Sequence, residues 1–391
     1  MLNRPDALKS IRNAFVAHPA VGLAGPRQCG KTTLARFLAA HEKSCAFFDM
    51  EKAVDRRRLE TPEQTLAPLK GLVIIDEIQR QPALFETLRV LLDRPQQKTR
   101  FLLLGSASPG LIKGVSESLA GRVGLVDLGP FQLRETGADT WRTLWQRGGF
   151  PRSFLSPSDA ASAVWRESFI RTFLERDIPQ FGITVPAETL RRFWTMIAHY
   201  HGQVWNGAEF ARALGSSEPT ARRYLDILSG AFMVRVLPPW HENLKKRQLK
   251  APKLYVRDSG LLHSLFGLES ADDLSGHPKV GASWEGFVIE QLVAATGSRS
   301  AYYWATHGGA ELDLMLNIRG KRFGFEFKHS DAPEATKSMH TALKDLGLDH
   351  LWVVYPGTET YPLADRLTVL PITALPALTT KIQSPQFLHD L

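Results

Sequence analysis

The chain has 391 residues, of which 43% are hydrophobic and 23% charged. That balance excludes a largely disordered chain, and the length predicts two or three domains with cores large enough to need no staples. Lys and Arg number 48 against 40 Asp and Glu, a net charge of +8, an excess that permits a polyanionic partner without requiring one. The two cysteines, Cys29 and Cys45, exclude a disulfide framework and a Cys/His metal cluster, and fit a reducing, cytoplasmic compartment. The opening MLNRPDALKSIRNAF has no apolar h-region and no apolar run approaches a membrane-spanning length, so a soluble protein without a membrane partner is expected.

From Val21 to Leu128 short apolar runs alternate with helix-like segments: AVGLAG, TTLARFLAAH, CAFFDM, LVIIDE, PALFETLRVLLD, FLLLGS and VGLVDL. Strands that are apolar throughout and separated by helices predict a parallel sheet covered on both faces. From Trp141 to Arg192 the pattern turns helical. Residues 203–237 read as a compact helix-turn-helix followed by a hairpin wing. Beyond Gly276 come a helix (ASWEGFVIEQLVAA), strands (YYW, ELDLMLNI, FGFEFK), a helix near TKSMHTALKDL and a strand LWVVYP. The expected domains are therefore 1–140, a helical region 141–200, a winged-helix-like domain 201–275 and an α/β domain 276–391.

Gly25-Pro26-Arg27-Gln28-Cys29-Gly30-Lys31-Thr32 has the spacing G-x-x-x-x-G-K-[ST], and Thr33 follows it. Successive backbone N–H groups can wrap a phosphate only where side chains stay clear, hence the two glycines. Lys31 supplies charge to the outer phosphates, and the Thr32 hydroxyl is placed to ligate Mg²⁺. The segment lies between an expected strand and an expected helix, whose N-terminus would face the anion. In Leu72-Val73-Ile74-Ile75-Asp76-Glu77 a strand ends in two acids, the edge at which open α/β sheets bind ligands. Asp76 is expected to support the metal and Glu77 to activate water. Ser106, ending FLLLGS, is a candidate for the γ-phosphate or the water, and Arg122, before VGLVDL, is the candidate arginine finger for its own or a neighbouring subunit.

These segments, with FFDME, FLLLGSASPGLI, ESLAGR, YHGQVWNGAEFARALG and KLYVRDSGLL, resemble the uncharacterised prokaryotic ATPases of the AAA superfamily, over residues 10–355. The resemblance implies an N-terminal P-loop sheet in the order 5-1-4-3-2, binding of ATP with Mg²⁺, and a C-terminal domain similar to restriction endonucleases. It also places Asp49 and Glu51 near the nucleotide or a subunit contact; AAA-like relatives often form rings as homo-oligomers, while related switch ATPases can be monomers.

In the middle region, AEFARALG is a short helix that Gly215 can end, and a serine can cap the next helix, EPTARRYLDIL. A winged helix would present Thr220, Arg222 and Arg223 to DNA. Residues 241–258 carry six Lys or Arg against two acids, so Lys245, Lys246 and Arg247 are candidate phosphate contacts. In the C-terminal region Glu285, Asp313 and Glu326, with Lys328 two residues on, match the D…E-x-K pattern of a nuclease-like Mg²⁺ site. Glu311 and Glu290 are alternative participants, and His307 and His329 carry no ligand pattern.

The sequence thus predicts an ATP hydrolase coupled to DNA. A nucleotide-switched protein scaffold and a nucleotide-regulated nuclease are the alternatives.

Overall fold

A computed structural model describes residues 2, 4–94, 99–106, 118–180, 182–241, 249–297 and 300–384. Two compact units divide the chain. The first comprises Met1–Pro130 with the short segments Ile178–Ile183 and Gly230–Phe232, and the second comprises the remainder.

The first unit is built on five strands, β1 (Ala20–Gly25), β2 (Cys45–Asp49), β3 (Leu72–Asp76), β4 (Arg100–Ser106) and β5 (Val123–Asp127). They are parallel and lie in the order β2-β3-β4-β1-β5, which read from the other edge is the expected 5-1-4-3-2. The period-2 geometry of a strand explains why these segments are apolar throughout. Val73, Ile75, Phe101 and Leu103 pack on one face with the helix Leu84–Leu92. Leu72, Ile74, Leu102 and Leu104 pack on the other with the helices Pro5–Ala17 and Lys31–Ala40. All strands run the same way, so the residues following β1 and β3 emerge together at one edge of the sheet.

The second unit begins with a run of helices that includes Trp141–Arg147, Asp159–Thr172 and Ala187–His199. Next come β6 (Gln203–Val204), the helices Gly207–Leu214 and Glu218–Gly230, then β7 (Val234–Leu237) and β8 (Lys253–Val256). These strands form a small antiparallel sheet, β6-β8-β7, with β8 in the centre. Gly215 ends the first of the two helices at φ 63°, and Ser217 Oγ accepts from the Thr220 N–H at the start of the second.

The chain then forms the helix Val280–Thr296 and six strands, β9 (Ala301–Ala305), β10 (Glu311–Ile318), β11 (Lys321–Phe327), β12 (His350–Tyr355), β13 (Tyr361–Ala364) and β14 (Leu367–Pro371). Their order is β13-β14-β12-β11-β10-β9. Strands β9, β10 and β11 pair antiparallel, while β11, β12 and β14 are parallel neighbours. Trp304, Leu312, Met315, Leu351 and Val353 pack against the helix Lys337–Asp345 through Met339, Ala342 and Leu343. Among the described residues no helix is long and apolar enough to cross a membrane.

Candidate functional site

The phosphate loop follows β1. A Cβ on Gly25 would lie 2.0 Å from the Leu128 carbonyl oxygen, so only glycine lets the chain pass the end of β5 this closely. Gln28 at φ 62° and Gly30 at φ 100° turn the backbone into the helix that begins at Lys31. Lys31 is buried, and its ammonium donates to the carbonyls of Gly25 (2.9 Å) and Pro26 (2.8 Å). The Cys29 thiol is buried and donates to the Leu128 carbonyl at 3.2 Å. Arg4, far outside the motif, braces the loop by donating to the Cys29 and Gly129 carbonyls at 3.1 and 3.0 Å. Arg27 donates to the Gln180 side chain at 2.6 Å, while Gln28 and Thr33 are exposed.

Beside the loop, Thr32 Oγ1 donates to Asp76 Oδ2 at 2.8 Å. Asp76 is 4% exposed. Burial raises its pKa, the Thr32 hydrogen bond opposes that rise, and the charges of Glu77 and Asp49 add to it. Asp49 ends β2 in register with Asp76, and Glu51 pairs with Arg80 at 2.8 Å. A hydroxyl and a carboxylate in contact beneath a loop of N–H groups form the donor set that Mg²⁺ takes together with phosphate oxygens. The residues therefore fit the metal that ATP carries. Glu77 adopts the left-handed conformation at φ 53°, a strained choice for a residue with a Cβ. The Gln79 amide donates to its carboxylate.

Register places Ser106 beside Gly25, at the same edge of the sheet. Arg122 lies elsewhere. It precedes β5, and Ala20 at the start of β1 pairs with Val123; five residues of strand, about 16 Å, separate it from the loop edge. Its guanidinium is paired with both oxygens of Asp93 at 2.6 and 2.7 Å. The expected finger on the chain's own nucleotide is thus corrected, because a residue before a parallel strand sits at the edge facing away from the ligand.

A second constellation lies in the other unit. One step beyond the paired Leu314 and Phe325, Asp313 and Glu326 face each other on adjacent antiparallel strands. The Phe327 N–H donates to Asp313 Oδ2 at 3.1 Å, and Lys328 pairs with Glu326 at 3.1 Å. Glu285 comes from the helix Val280–Thr296 and accepts from the Tyr255 hydroxyl at 2.6 Å. Lys253, two residues before Tyr255 on β8, sends its ammonium among Glu285 (3.5 Å), Asp313 (4.0 Å) and Glu311. Burial pushes Glu285 up to about 7 and Glu326 up to about 8, against the pull of Lys253 and Lys328. Asp313 is raised by burial as well. Burial alone would depress the Lys253 ammonium, but Tyr255 and the three carboxylates hold it well above the usual lysine range.

Comparison with known proteins assigns this architecture. Residues 17–137 match the family described as "AAA domain", residues 138–272 a "Domain of unknown function (DUF8612)" and residues 280–375 a "Domain of unknown function (DUF4143)". "Uncharacterized protein Rv2008c" of Mycobacterium tuberculosis and "Uncharacterized protein Mb2031c" of Mycobacterium bovis are each 50% identical over 380 residues, covering 97% of this chain and 86% of theirs. The chain belongs to the family of these two proteins. The fold of its AAA domain is that of P-loop ATPases. The Walker-type ATPase PABY2304 of Pyrococcus abyssi matches with a TM-score of 0.50 at 13% identity, over 68% of this chain and 96% of its own.

Within this family member, the structure gathers Gly25, Lys31, Thr32, Asp76 and Glu77 at one edge, and Glu285, Asp313, Glu326 and Lys328 in the second cluster. It does not gather the last group around an open metal position. Among the described residues no set of three His, Cys, Asp or Glu is arranged to hold an ion. The structure brings together Glu285, Asp313 and Glu326, the three residues expected to ligate Mg²⁺, with Lys253 and Lys328 beside them. Glu290 is excluded as a participant, since it is buried between Arg235 and Arg257.

Arg222 pairs with Asp226 at 3.0 Å on an exposed helix face, Arg223 is exposed beside it, and the Thr220 hydroxyl meets Ser217 at 2.9 Å. Lys245, Lys246 and Arg247 lie outside the described residues. Sequence reasoning missed Arg4, Gln79, Tyr255 and Lys253. For the last two the available signal was the run KLYV, whose residues two apart share a strand face.

Proposed function

We propose that the chain is a Mg²⁺-dependent ATP hydrolase whose turnover is coupled to DNA. The observation that carries this reading is the 2.8 Å contact between Thr32 and Asp76, with Glu77 adjoining it and the phosphate loop above it. On binding, the loop N–H groups and the N-terminus of the helix Lys31–Ala40 take the phosphates. Lys31 exchanges its two carbonyl partners for phosphate oxygens, a favourable trade of neutral acceptors for charged ones. Thr32 and Asp76 would hold Mg²⁺, which neutralises charge on the phosphates. Glu77 orients the attacking water and takes up its proton, and Gln79 fixes the Glu77 carboxylate. Positioning and electrostatics supply most of the rate.

Coupling to DNA is supported by the middle region. Its three helices and its β6-β8-β7 sheet follow the connectivity of a winged helix, and Arg222 and Arg223 stand exposed on the second helix of the turn. The C-terminal sheet, with Asp313 opposite Glu326 and Lys328, supports a restriction-endonuclease-like fold. The two thiols, Cys29 and Cys45, accord with a reducing cytoplasm. Assembly with further copies would bring Arg122 of one copy to the nucleotide of another.

ATP turnover by wild type and Glu77→Gln, each with and without duplex DNA, tests the proposal. Glu77→Gln should lose turnover by about 100-fold or more while keeping ATP affinity. DNA should accelerate the wild type, less so as salt rises and less so in Arg222→Ala/Arg223→Ala. Turnover unchanged by DNA at low salt would leave a nucleotide-switched protein scaffold instead.

A further inference from the structure

We infer that the Lys253 ammonium is the resident cation of the C-terminal carboxylate cluster and holds the place that a divalent metal would otherwise take. The inference stands apart from the nucleotide chemistry and concerns only the second unit.

Four carboxylates meet here, Glu285, Glu311, Asp313 and Glu326, and each already has a donor or a cation. Glu285 has the Tyr255 hydroxyl and Lys253, Asp313 has the Phe327 N–H and Lys253, Glu311 has Lys253, and Glu326 has Lys328. Lys253 is 4% exposed, and its ammonium lies 5.5 Å from the centre of the Tyr303 ring. It is therefore enclosed by carboxylates on one side and an aromatic face on another, a setting that favours a cation.

A Mg²⁺ or Mn²⁺ ion would need the same oxygens, at shorter range and with their lone pairs turned inward. Two cations so close together would repel, so metal uptake requires Lys253 to leave. The backbone that carries it is held on both sides. Lys253 lies on the central strand of its sheet, in register with Val204 on one side and Leu237 on the other. Just before it, the Pro252 carbonyl accepts from the Trp205 N–H at 2.7 Å and the Ala251 carbonyl accepts from the Tyr303 hydroxyl. The stem of Lys253 is thus anchored beneath the cluster, and its ammonium fills the space among the carboxylates.

Mn²⁺ uptake by the full chain without nucleotide, followed by electron paramagnetic resonance near neutral pH, is the test. Wild type should show no uptake that Asp313→Ala removes. Lys253→Met keeps the length of the stem and drops the charge. It should gain about one bound Mn²⁺ per chain through oxygen ligands, and Lys253→Met/Asp313→Ala should lose it again. Lys253→Arg should stay metal-free. Asp313-sensitive uptake by wild type, or none by a folded Lys253→Met, overturns the inference. Should Lys253→Met lack a cooperative melt, Mn²⁺ added beforehand decides the matter, since an ion that replaces the ammonium restores the transition, and no restoration overturns the inference.

Discussion

Each unit of this chain buries a lysine among backbone and side-chain oxygens, and the two lysines are held in opposite ways. Lys31 rests on two neutral carbonyls, those of Gly25 and Pro26. Lys253 rests on the carboxylates of Glu285, Glu311 and Asp313. An ammonium on neutral acceptors has unspent charge, so an arriving phosphate offers it a stronger partner. An ammonium among carboxylates is already matched, and removing either partner leaves a buried charge uncompensated. On the proposed reading the same side chain is a ligand-binding group in one unit and a structural counter-ion in the other, and what decides between them is the charge of its neighbours.

The largest expected effect breaks this comparison on the first side. Lys31→Ala should lower ATP turnover by about 10²–10³-fold, because Arg27, the other cation of the loop, is turned to Gln180. Its thermal stability should change little, since two carbonyls that lose the ammonium can turn to water. Turnover measured alongside a thermal melt checks both halves, and a large fall in melting temperature would mean that Lys31 is a structural group like Lys253.

The phosphate loop was legible in the sequence because its geometry is local. Eight consecutive residues set the turn, and the apolar run before Asp76 identified the strand that brings the acids alongside. Glu285, Asp313 and Glu326 were also named from the sequence, where the strand period puts Lys328 on the same face as Glu326. Lys253 was not. Its partner nearest in sequence across the cluster, Glu285, is 32 residues away, and it belongs to a basic run that reads as a phosphate-contacting surface, although β8 is buried along its whole length. The short strands β13 and β14 and the helix Leu375–Gln383 were missed for a related reason. They carry little periodicity of their own and gain their order from the sheet edge they complete.

A middle-sized effect sharpens the comparison on the second side through pH. Glu326 gives up its proton near the ordinary carboxylate range when unfolded, but only near 8 in the folded chain, where burial disfavours its charge. Between those values the folded state binds more protons, so stability falls as pH rises from about 4.5 to about 8. Each tenfold difference in proton affinity between the two states is worth about 1.4 kcal/mol, so the loss should reach a few kcal/mol. Glu285 and Asp258, both raised by burial, act with the same sign. Glu290 acts oppositely: Arg235 and Arg257 overcome the effect of burial and hold it low, so its contribution is lost as pH falls. Denaturant melts of wild type and Glu326→Gln across this range should show the flatter profile in the variant. An equal slope in both would place the proton elsewhere in the cluster.

The smallest expected effect concerns Arg122, a third cation with a third kind of neighbour. It is paired with one carboxylate, Asp93, which is half exposed, so water screens the pair and little stability depends on it. It also lies at the edge of the sheet away from its own phosphate loop. Arg122→Ala at low protein concentration should therefore leave both the melting temperature and the turnover per chain nearly unchanged. At high concentration the comparison gains a second reading. If copies assemble so that Arg122 of one reaches the nucleotide of the next, wild-type turnover per chain rises with concentration and the Arg122→Ala variant does not follow. A turnover per chain that is flat with concentration and equal in the two proteins confines Arg122 to its pair with Asp93.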